Sequence, residues 1–410
     1  MAFVFTIAMG PPRLDTSMVL LPGSPQPVGR RLIRMLEDQL AALHVRPGHG
    51  NRRLFADHIL IAHLLVFFNP TIASLRRVED VFSHEAVCRR MGLPRVPRST
   101  LADAQRVFDL TLLQPLVNDL VGRLGRLPHD ARLDAITRKI VAVDASVFEV
   151  AARIAWALPR NTSSSRGAVQ LCLHFDVLHG APDGFTLIGG QESERTQLIP
   201  SLTPNRLYLL DRAYQSYDHL GRIAGIGSDF VVRLRDTAHF VVHEAQPLSL
   251  ADRQAGIQGD NVVKPANRHR QFPMPVRLVE IAAIDGGDPV RLLTNRLDLP
   301  AELIGLLYRH RWQIELFFRW LKCVTHVQHF LSESPTGMAL QLYAAMIGTL
   351  LIALETGSRP SQYDFAQMTL VAAGMVSLED AKRVMTQRRA ERARAAQWQA
   401  NYRAAKKAGR

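Results

Sequence analysis

The stretch of sequence that most constrains the fold runs from Leu307 to Thr325 and reads LYRHRWQIELFFRWLKCVT. In a helix, Tyr308, Arg311, Glu315 and Lys322 share one face, because residues three, seven and fourteen positions apart return to nearly the same angle. The other sides carry large apolar residues that would anchor the helix in a core: Ile314, Leu316, Phe317, Phe318, Trp320 and Leu321. The segment therefore predicts a half-buried helix that presents a phenol, a guanidinium, a carboxylate and an ammonium together.

A solvated face whose charges happen to align is the simpler interpretation of this pattern. Lys is scarce in the chain and Arg is abundant, so composition alone explains a Lys at position 322 less readily than it would explain an Arg. The chain of 410 residues also carries a formal net charge of +13 with a pI near 10.3. Such a basic balance is typical of proteins that bind nucleic acids. The charge therefore favours a functional face that meets phosphates.

Two apolar, β-branched runs upstream each end in an aspartate. IVAVDAS (Ile140–Ser146) contains Asp144, and RLYLLDRAY (Arg206–Tyr214) contains Asp211. Between them, Ala168–Gly180 and Gly184–Gln191 read as two strands joined by a turn at Ala-Pro-Asp-Gly. The sequence thus predicts two strands that each deliver a carboxylate at the carboxyl end.

The helical pattern Y-x2-R-x3-E-x6-K resembles the signature of DDE transposases of the insertion-sequence-4 type, and LLDRAY resembles their second acidic motif. The apolar segment HFLSESPTGMALQLYAAMIGTLLIAL also resembles the helix that follows the signature in that family. The resemblance implies an α/β fold with an RNase H-like catalytic core and a β-rich insertion. An all-helical N-terminal domain would precede this core, and C-terminal helices would follow it.

The resemblance implies that Asp144, Asp211 and Glu315 are the catalytic acids and the metal ligands. Two Mg²⁺ ions, for which Mn²⁺ can substitute, are the expected cofactors, because hard divalent cations prefer carboxylate oxygens and stabilise both the attacking and the leaving oxygen. Other acids near these strands are Asp176, Asp183, Glu192 and Glu194, which we interpret as ordinary surface or turn carboxylates.

The remaining signature residues, Tyr308, Arg311 and Lys322, would contact the DNA end in such a family. Arg212 follows Asp211 directly, and either DNA contact or a salt bridge to the acids would explain it. Cys323, His326 and His329 recur every three residues and could bind a metal, but histidines on a helix surface and a buried cysteine are commoner.

We expect five regions along the chain. Residues 1–137 form a helical DNA-binding region, 138–235 the first part of the catalytic core, 236–298 the β-rich insertion, 299–360 the rest of the core with the signature helix, and 361–410 a basic helical tail. In the first region, Ser99 is a candidate N-cap. Basic residues suited to phosphate contact there are Arg30, Arg31, Arg34, Arg76, Arg77, Arg89, Arg90, Arg95 and Arg98.

The predicted function is that of a metal-dependent DNA transposase, an endonuclease and strand transferase acting on terminal inverted repeats and target DNA. We expect a homodimer at synapsis and a location in the bacterial cytoplasm at the nucleoid, without a membrane segment. The apolar stretch Met338–Leu354 is predicted to be a buried core helix because Gln341 and Tyr343 interrupt it. Two alternatives stay open: an inactive or repurposed protein that only binds repeat DNA, and another RNase H-like nuclease.

Overall fold

The computed structural model describes residues 36–44, 54–69, 71–91, 94–151, 154, 156–157, 166–266, 272, 274–283, 287–325, 329–372 and 375–408. The predicted DNA contacts Arg30, Arg31 and Arg34 lie outside these residues, as does His326 near the signature segment. The chain divides into a unit made of residues 1–124 with 324–410 and a second unit made of residues 125–323.

The N-terminal part of the first unit is helical throughout its described residues. Its helices are α1 (Glu37–His44), α2 (Ala56–Phe68), α3 (Leu75–Phe82), α4 (Glu85–Met91), α5 (Arg98–Arg106) and α6 (Leu113–Leu124), with a short 3₁₀ turn at Leu110–Leu112. Most residues of α2 are buried, as expected for a helix that is apolar all round. The predicted N-cap at Ser99 is wrong: α5 begins after Pro97, and Ser99 lies in its first turn.

The second unit is built on a nine-stranded sheet in the order β3-β2-β1-β4-β5-β9-β8-β7-β6. The strands are β1 (Lys139–Val150), β2 (Gly167–Asp176), β3 (Ala181–Gly189), β4 (Arg206–Leu210), β5 (Asp229–Arg233), β6 (Phe240–Ala245), β7 (Ile257–Pro265), β8 (Val276–Ile281) and β9 (Val290–Thr294). β1, β4 and β5 run parallel, whereas β2 and β3 pair antiparallel beside β1. This order confirms the predicted RNase H-like core.

The central strands are buried along most of their length, which explains their continuous apolar runs. The helices α7 (Glu194–Ser201) and α8 (Tyr217–Gly225) connect β3 to β4 and β4 to β5, and a 3₁₀ turn at Ala131–Ala135 precedes β1. In the parallel pair of β1 and β4, Val143 is the register partner of Leu210. The next residue on each strand is therefore an aspartate, Asp144 and Asp211.

The turn between β2 and β3 lies earlier than predicted. Val177–Gly180 forms the turn, and residues 181–184 already belong to β3. The Asp176 side chain accepts the backbone N–H groups of Leu178 and His179, both at 3.1 Å, and Gly180 adopts a φ of 63°. Aspartate capping and a left-handed glycine favour this turn over Ala-Pro-Asp-Gly.

The strands between residues 236 and 298 extend the core sheet. β9 pairs antiparallel with β5, where Val231 is the partner of Thr294, and β8, β7 and β6 follow outward. The sequence analysis missed β7 and the short helix α9 (Leu250–Gln254). A buried ion pair crosses this part of the sheet, with Arg277 Nη2 2.5 Å from Asp260 Oδ2.

The signature segment consists of two helices where the sequence predicted one. α10 (Ala301–His310) and α11 (Trp312–Cys323) meet at Arg311. The Arg311 N–H donates to the Tyr308 carbonyl at 3.1 Å, and the Ile314 N–H donates to the Arg311 carbonyl at 3.2 Å. These shorter i+3 bonds tighten the chain at the junction.

The first unit ends with three more helices, α12 (Pro335–Thr356), α13 (Gln362–Ala372) and α14 (Leu378–Ala408). Among the helices of the described residues, α12 has the length and composition that a membrane span requires, but 94% of its most apolar window is buried inside the protein. It packs against α2 and α6, and Gly348 allows the Phe67 ring to approach closely. As predicted, α12 is a buried core helix.

Candidate active site

The sheet and the signature helices bring three carboxylates into one electrostatic cluster. Asp144 lies on β1, Asp211 follows β4 and begins a 3₁₀ turn at Arg212–Tyr214, and Glu315 lies in the first turn of α11. The helix is held against the sheet by buried side chains such as Phe317, whose ring centroid is 5.3 Å from that of Phe175. Leu316 was expected in this core but is exposed.

The carboxyl group of Asp144 has a perturbed pKa. Burial raises the pKa of its carboxyl to about 6, and the negative charges of Asp211 and Glu315 act in the same direction. The Ala145 N–H, which donates to Asp144 Oδ1 at 2.8 Å, and the Arg311 guanidinium lower the same pKa. Asp144 therefore lies close enough to Asp211 and Glu315 to be repelled by both, and a positive charge beside it stabilises its ionised form.

Arg311 supplies such a charge in this structure. Its Nη1 is 3.4 Å from Asp144 Oδ2, and its Nη2 is 2.6 Å from Glu315 Oε1. The side chain is only 11% exposed. Because Arg311 stands where α10 and α11 meet, the tight turn of the backbone aims its guanidinium at the acids. The signature arginine thus holds two of the predicted catalytic carboxylates.

Tyr308 reaches the third acid. Its hydroxyl donates to Asp211 Oδ1 at 3.3 Å, and the Arg311 guanidinium lies 5.7 Å from the centre of its ring. Burial raises the pKa of the Tyr308 phenol to about 12, so the hydroxyl keeps its proton at neutral pH. The structure therefore brings Tyr308, Arg311 and Glu315 together with the two aspartates.

Lys322 lies on α11 about two turns after Glu315. Its Nζ is 5.0 Å from the ring centroid of Phe148, which is on β1 four residues after Asp144. Burial lowers the pKa of the Lys322 ammonium. Lys322 thus contacts the strand that carries Asp144, but at a point four residues farther along it.

Arg212 is exposed and forms no ion pair with any carboxylate in the part of the chain that the structure describes. Its carbonyl oxygen accepts the Nε–H of Arg235 at 3.3 Å. Of its two interpretations, the salt bridge to the acids is wrong here, because Arg311 makes that contact. The other interpretation, DNA contact by the exposed guanidinium, stays a prediction.

The other acids considered near these strands have separate surroundings. Asp176 and Asp183 both form ion pairs with Lys139 at the beginning of β1, five residues before Asp144. Glu192 accepts the backbone N–H of Gly189 at 2.9 Å. Glu194 is different, because its charge acts on the Tyr214 hydroxyl together with that of Asp144.

Tyr214 is a residue near the acids that sequence analysis missed. It is 1% exposed, and its hydroxyl has no hydrogen-bond partner among the described residues. Burial raises the pKa of this phenol, and the charges of Glu194, Asp144 and Asp211 add to the effect. The sequence feature that could have identified Tyr214 is its position three residues after Asp211.

Two groups of metal-ligating residue types lie elsewhere. Cys323 is exposed, and one of its proposed partners lies outside the described residues. In the first unit, His44, Asp57 and His58 cluster, with His44 Nδ1 2.9 Å from Asp57 Oδ2. His58 Nδ1 accepts the Phe55 N–H at 3.4 Å, so neutral His58 carries its proton on Nε2, and hydrogen bonding explains this cluster without a metal.

Asp211 directly follows β4, as predicted, whereas Asp144 lies within β1, which continues to Val150 because its second half pairs with β2. The RNase H-like sheet with these acids on adjacent parallel strands defines the class of fold to which the chain belongs. The Transposase DDE domain family matches residues 136–351, which is more than half of the chain. The chain therefore belongs to the DDE transposase family.

Two proteins with similar sequences are named as transposases. The chain is 33% identical over 147 residues to "Putative transposase y4zB" of Sinorhizobium fredii, a match that covers 35% of this chain and 41% of that protein. It is 24% identical over 263 residues to "Probable transposase for insertion sequence element IS5377" of Geobacillus stearothermophilus, covering 64% of this chain and 68% of that one. The chain thus spans less than half of the first relative's length.

Among solved structures, a piggyBac transposase in a synaptic complex with hairpin DNA aligns with a TM-score of 0.39 at 10% identity, over 88% of this chain and 80% of that chain.

Membership of the DDE family implies dependence on a divalent metal. The donor set fits such an ion, because Asp144, Asp211 and Glu315 offer the carboxylate oxygens that hard cations prefer. The Arg311 guanidinium lowers the pKa of Asp144 against the effect of burial, so a neighbouring positive charge stabilises the ionised form of this carboxylate.

Proposed function

We propose that the chain is an insertion-sequence transposase of the insertion-sequence-4 type, which cuts the ends of its element and joins them to target DNA. One observation carries the proposal: three acids from β1, β4 and α11 interact in one cluster, bridged by Arg311 and Tyr308 of the signature segment. Phosphoryl transfer in such a site depends on positioning and on compensation of negative charge.

We assign Asp144, Asp211 and Glu315 as catalytic residues that hold two Mg²⁺ ions, or Mn²⁺ in their place. When bound, the ions supply Lewis-acid activation of water and charge stabilisation at the scissile phosphate. The protein's part is to hold the carboxylates in place. The sheet register fixes the two aspartates, the packing of α11 fixes Glu315, and Arg311 limits their mutual repulsion.

Tyr308, Arg311, Lys322 and Arg212 are the proposed DNA contacts. The Tyr308 hydroxyl stays protonated at neutral pH and can donate to a phosphate oxygen next to Asp211. The Nε of Arg311 is buried and has no hydrogen-bond partner among the described residues, so its N–H would gain a partner if the side chain turned toward a bound phosphate. The exposed Arg212 and the half-buried Lys322 would bind phosphates farther from the acids.

The proposed partners are double-stranded DNA, as terminal inverted repeats and as target, and a second copy of the chain at synapsis. The helical residues 1–137 would recognise the repeat, residues 138–235 and 299–360 would form the catalytic core with the insertion 236–298, and the basic tail 361–410 would add non-specific contacts. We place this activity at the nucleoid in the bacterial cytoplasm. The family match favours transposition over a binding-only protein or another RNase H-like nuclease.

The test is cleavage of a linear duplex that ends in the repeat flanking the gene, with Mg²⁺, Mn²⁺ or EDTA. We expect metal-dependent nicking at the repeat boundary by the wild type and none by Asp211→Asn, which should still bind the duplex. Binding without nicking by the wild type would instead support the binding-only alternative.

A further inference from the structure

Glu194 is an acid near the candidate active site that none of the roles proposed above uses. It begins α7, directly after the loop that follows β3, and α7 packs on β2. On β2, the Nε2 of Gln170 donates to the carbonyls of Gly190 at 3.0 Å and Glu192 at 3.3 Å. Gln170 pairs with β1 three residues beyond Asp144. The loop that leads to Glu194 is therefore anchored beside the strand that carries Asp144.

The sheet opens next to Asp144. Parallel pairing of β1 with β4 ends one residue before Asp144, whereas β1 itself continues to Val150. On the side of β4, the chain leaves the sheet at Asp211 and enters the 3₁₀ turn that carries Tyr214. A side chain from α7 can therefore approach Asp144 through this opening.

The Tyr214 hydroxyl lies within reach of the charges of both Glu194 and Asp144. Tyr214 belongs to the same buried cluster as Leu198 of α7, and its hydroxyl has no hydrogen-bond partner among the described residues. Besides burial, the charges of Glu194 and Asp144 raise the pKa of this phenol. Burial also raises the pKa of the Cys172 thiol to about 12, and the same two charges contribute. A buried O–H group without an acceptor is costly, so Tyr214 would gain from a carboxylate held beside it.

Glu194 is accessible to ions from solvent. It is half-buried and lines a cavity of ≈ 410 Å³ together with Gln170, residues 190–193 and Arg195. Glu194 forms no ion pair within the part of the chain that the structure describes. The other acid of the cavity, Glu192, accepts the Gly189 N–H at 2.9 Å. Of the two acids, Glu194 is therefore the one better placed to take a ligand.

Charge balance favours a further acid at the ion centre. Two divalent ions carry more positive charge than Asp144, Asp211 and Glu315 neutralise, and Arg311 adds to the excess. A carboxylate beside such an excess is stabilised in its ionised form.

We propose that Glu194 is a fourth carboxylate of the divalent-ion centre and binds the ion beside Asp144. Tyr214 is a positioning residue, which donates its hydroxyl hydrogen to Glu194 and holds this carboxylate toward the ion. The inference rests on the proposed function, because the ion centre belongs to it. The contribution of Glu194 to ion affinity is nevertheless measured separately from DNA cleavage.

The experiment is calorimetric titration of the metal-free, full-length protein with Mn²⁺. We expect Glu194→Gln to weaken Mn²⁺ binding about tenfold or more, because it removes a charged ligand. Glu194→Asp keeps the charge and should lose less affinity than Glu194→Gln. Tyr214→Phe should weaken binding about two- to tenfold, the value of one hydrogen bond, and should have no further effect when combined with Glu194→Gln.

The matched control is Glu192→Gln, which removes the same charge from the lining of the same cavity. It should bind Mn²⁺ like the wild type, because the Glu192 side chain is engaged by the Gly189 N–H. If Glu192→Gln and Glu194→Gln weaken binding equally, or if Glu194→Gln binds Mn²⁺ like the wild type, the inference is wrong.

Urea unfolding in EDTA separates ion binding from a role in the helix alone. Glu194 lies in the first turn of α7, where an acid stabilises a helix. A loss of stability of Glu194→Gln in EDTA, with unchanged Mn²⁺ affinity, would assign Glu194 to this helical role and overturn the inference. Weaker Mn²⁺ binding by a variant that is as stable as the wild type in EDTA would support it.

Failure of this inference can be distinguished from failure of the proposed function. Mn²⁺ binding that depends on Asp211 and Glu315 but not on Glu194, together with nicking of the repeat, would overturn the inference and leave the proposed function standing. Mn²⁺ binding that depends on Glu194 and Asp144, without nicking of the repeat, would support the fourth carboxylate and contradict the proposed function.

Discussion

Replacing Arg311 by glutamine would remove the cation that bridges the candidate catalytic acids. The wild-type guanidinium lies 3.4 Å from Asp144 Oδ2 and 2.6 Å from Glu315 Oε1. Glutamine keeps part of the side-chain length and a hydrogen-bond donor but no charge. The substitution therefore isolates the electrostatic part of the role of Arg311.

The expected magnitude follows from burial. Removing one partner of a buried ion pair costs about 3–5 kcal/mol, because the remaining charge is left without compensation. The Arg311 side chain is 11% exposed, but those of Asp144 and Glu315 are 25% and 30% exposed, so water screens part of the effect. We expect Arg311→Gln to lower the free energy of unfolding by about 2–3 kcal/mol in metal-free buffer.

A divalent ion should restore more stability to the variant than to the wild type. Without the guanidinium, the three carboxylates attract a cation more strongly, and a ligand that binds the folded state stabilises it in proportion to RT ln(1 + [L]/Kd). If Arg311→Gln tightens ion binding tenfold, saturating metal returns about 1.4 kcal/mol more to the variant than to the wild type.

The assay is urea unfolding of both proteins in EDTA and in a Mg²⁺ series, followed by circular dichroism. The matched control is Arg309→Gln, because Arg309 is an exposed arginine two residues away that forms no hydrogen bond or ion pair with the three acids among the described residues. It should behave like the wild type in both buffers. Equal stability of Arg311→Gln and the wild type in EDTA would refute the bridging role.

Further predictions concern single groups. Tyr308→Phe removes one hydrogen bond of 3.3 Å to Asp211 and should cost less than about 1 kcal/mol in urea unfolding; a larger loss would contradict that assignment. Burial lowers the pKa of His63 to about 4, so between pH 6.5 and 4 the unfolded chain takes up a proton at this residue and the folded chain does not. The free energy of unfolding should therefore fall by up to about 3 kcal/mol as the pH is lowered through this interval. His63→Gln should make the free energy of unfolding, measured with urea, less dependent on pH. Lys322→Ala should slow end processing in the nicking assay with little change in melting temperature, and normal cleavage and affinity would count against a phosphate contact there. Binding of repeat DNA by the wild type should weaken steeply with salt in an anisotropy titration, whereas a flat response would contradict a basic DNA-binding surface.

The sequence predicted the parts of the fold that depend on local periodicity. Apolar runs that end in Asp144 and Asp211 identified β1 and β4, and parallel pairing then brings their carboxyl ends together whatever the detail of the loops. The apolar face of the signature segment identified the buried side of α11 in the same way. These features follow from residue spacing alone.

Other features depend on contacts that spacing does not encode. β7 contains Gly259, Asp260 and Asn261, residue types that are rare in strands, and it exists because it pairs with β6 and β8 and buries the Asp260–Arg277 ion pair. The turn after β2 depends on side-chain capping by Asp176.

The candidate site was only partly predictable for the same reason. The motif indicated that Arg311 shares a face with Glu315, but its contact with Asp144 depends on the break between α10 and α11 and on the distance of this break from β1. Tyr214 could not be predicted from spacing either, because only the folded chain places its hydroxyl near the charges of Asp144 and Glu194.

The central claim is that Asp144, Asp211 and Glu315 together hold the divalent ions of the reaction. Titration of metal-free protein with Mn²⁺, followed by calorimetry, tests it most directly. The wild type should bind Mn²⁺, and Asp211→Asn and Glu315→Gln should each lose that binding. The control is Glu149→Gln, which alters an exposed acid on the same strand as Asp144 and should bind like the wild type. Unchanged Mn²⁺ binding by folded Asp211→Asn and Glu315→Gln would contradict the account.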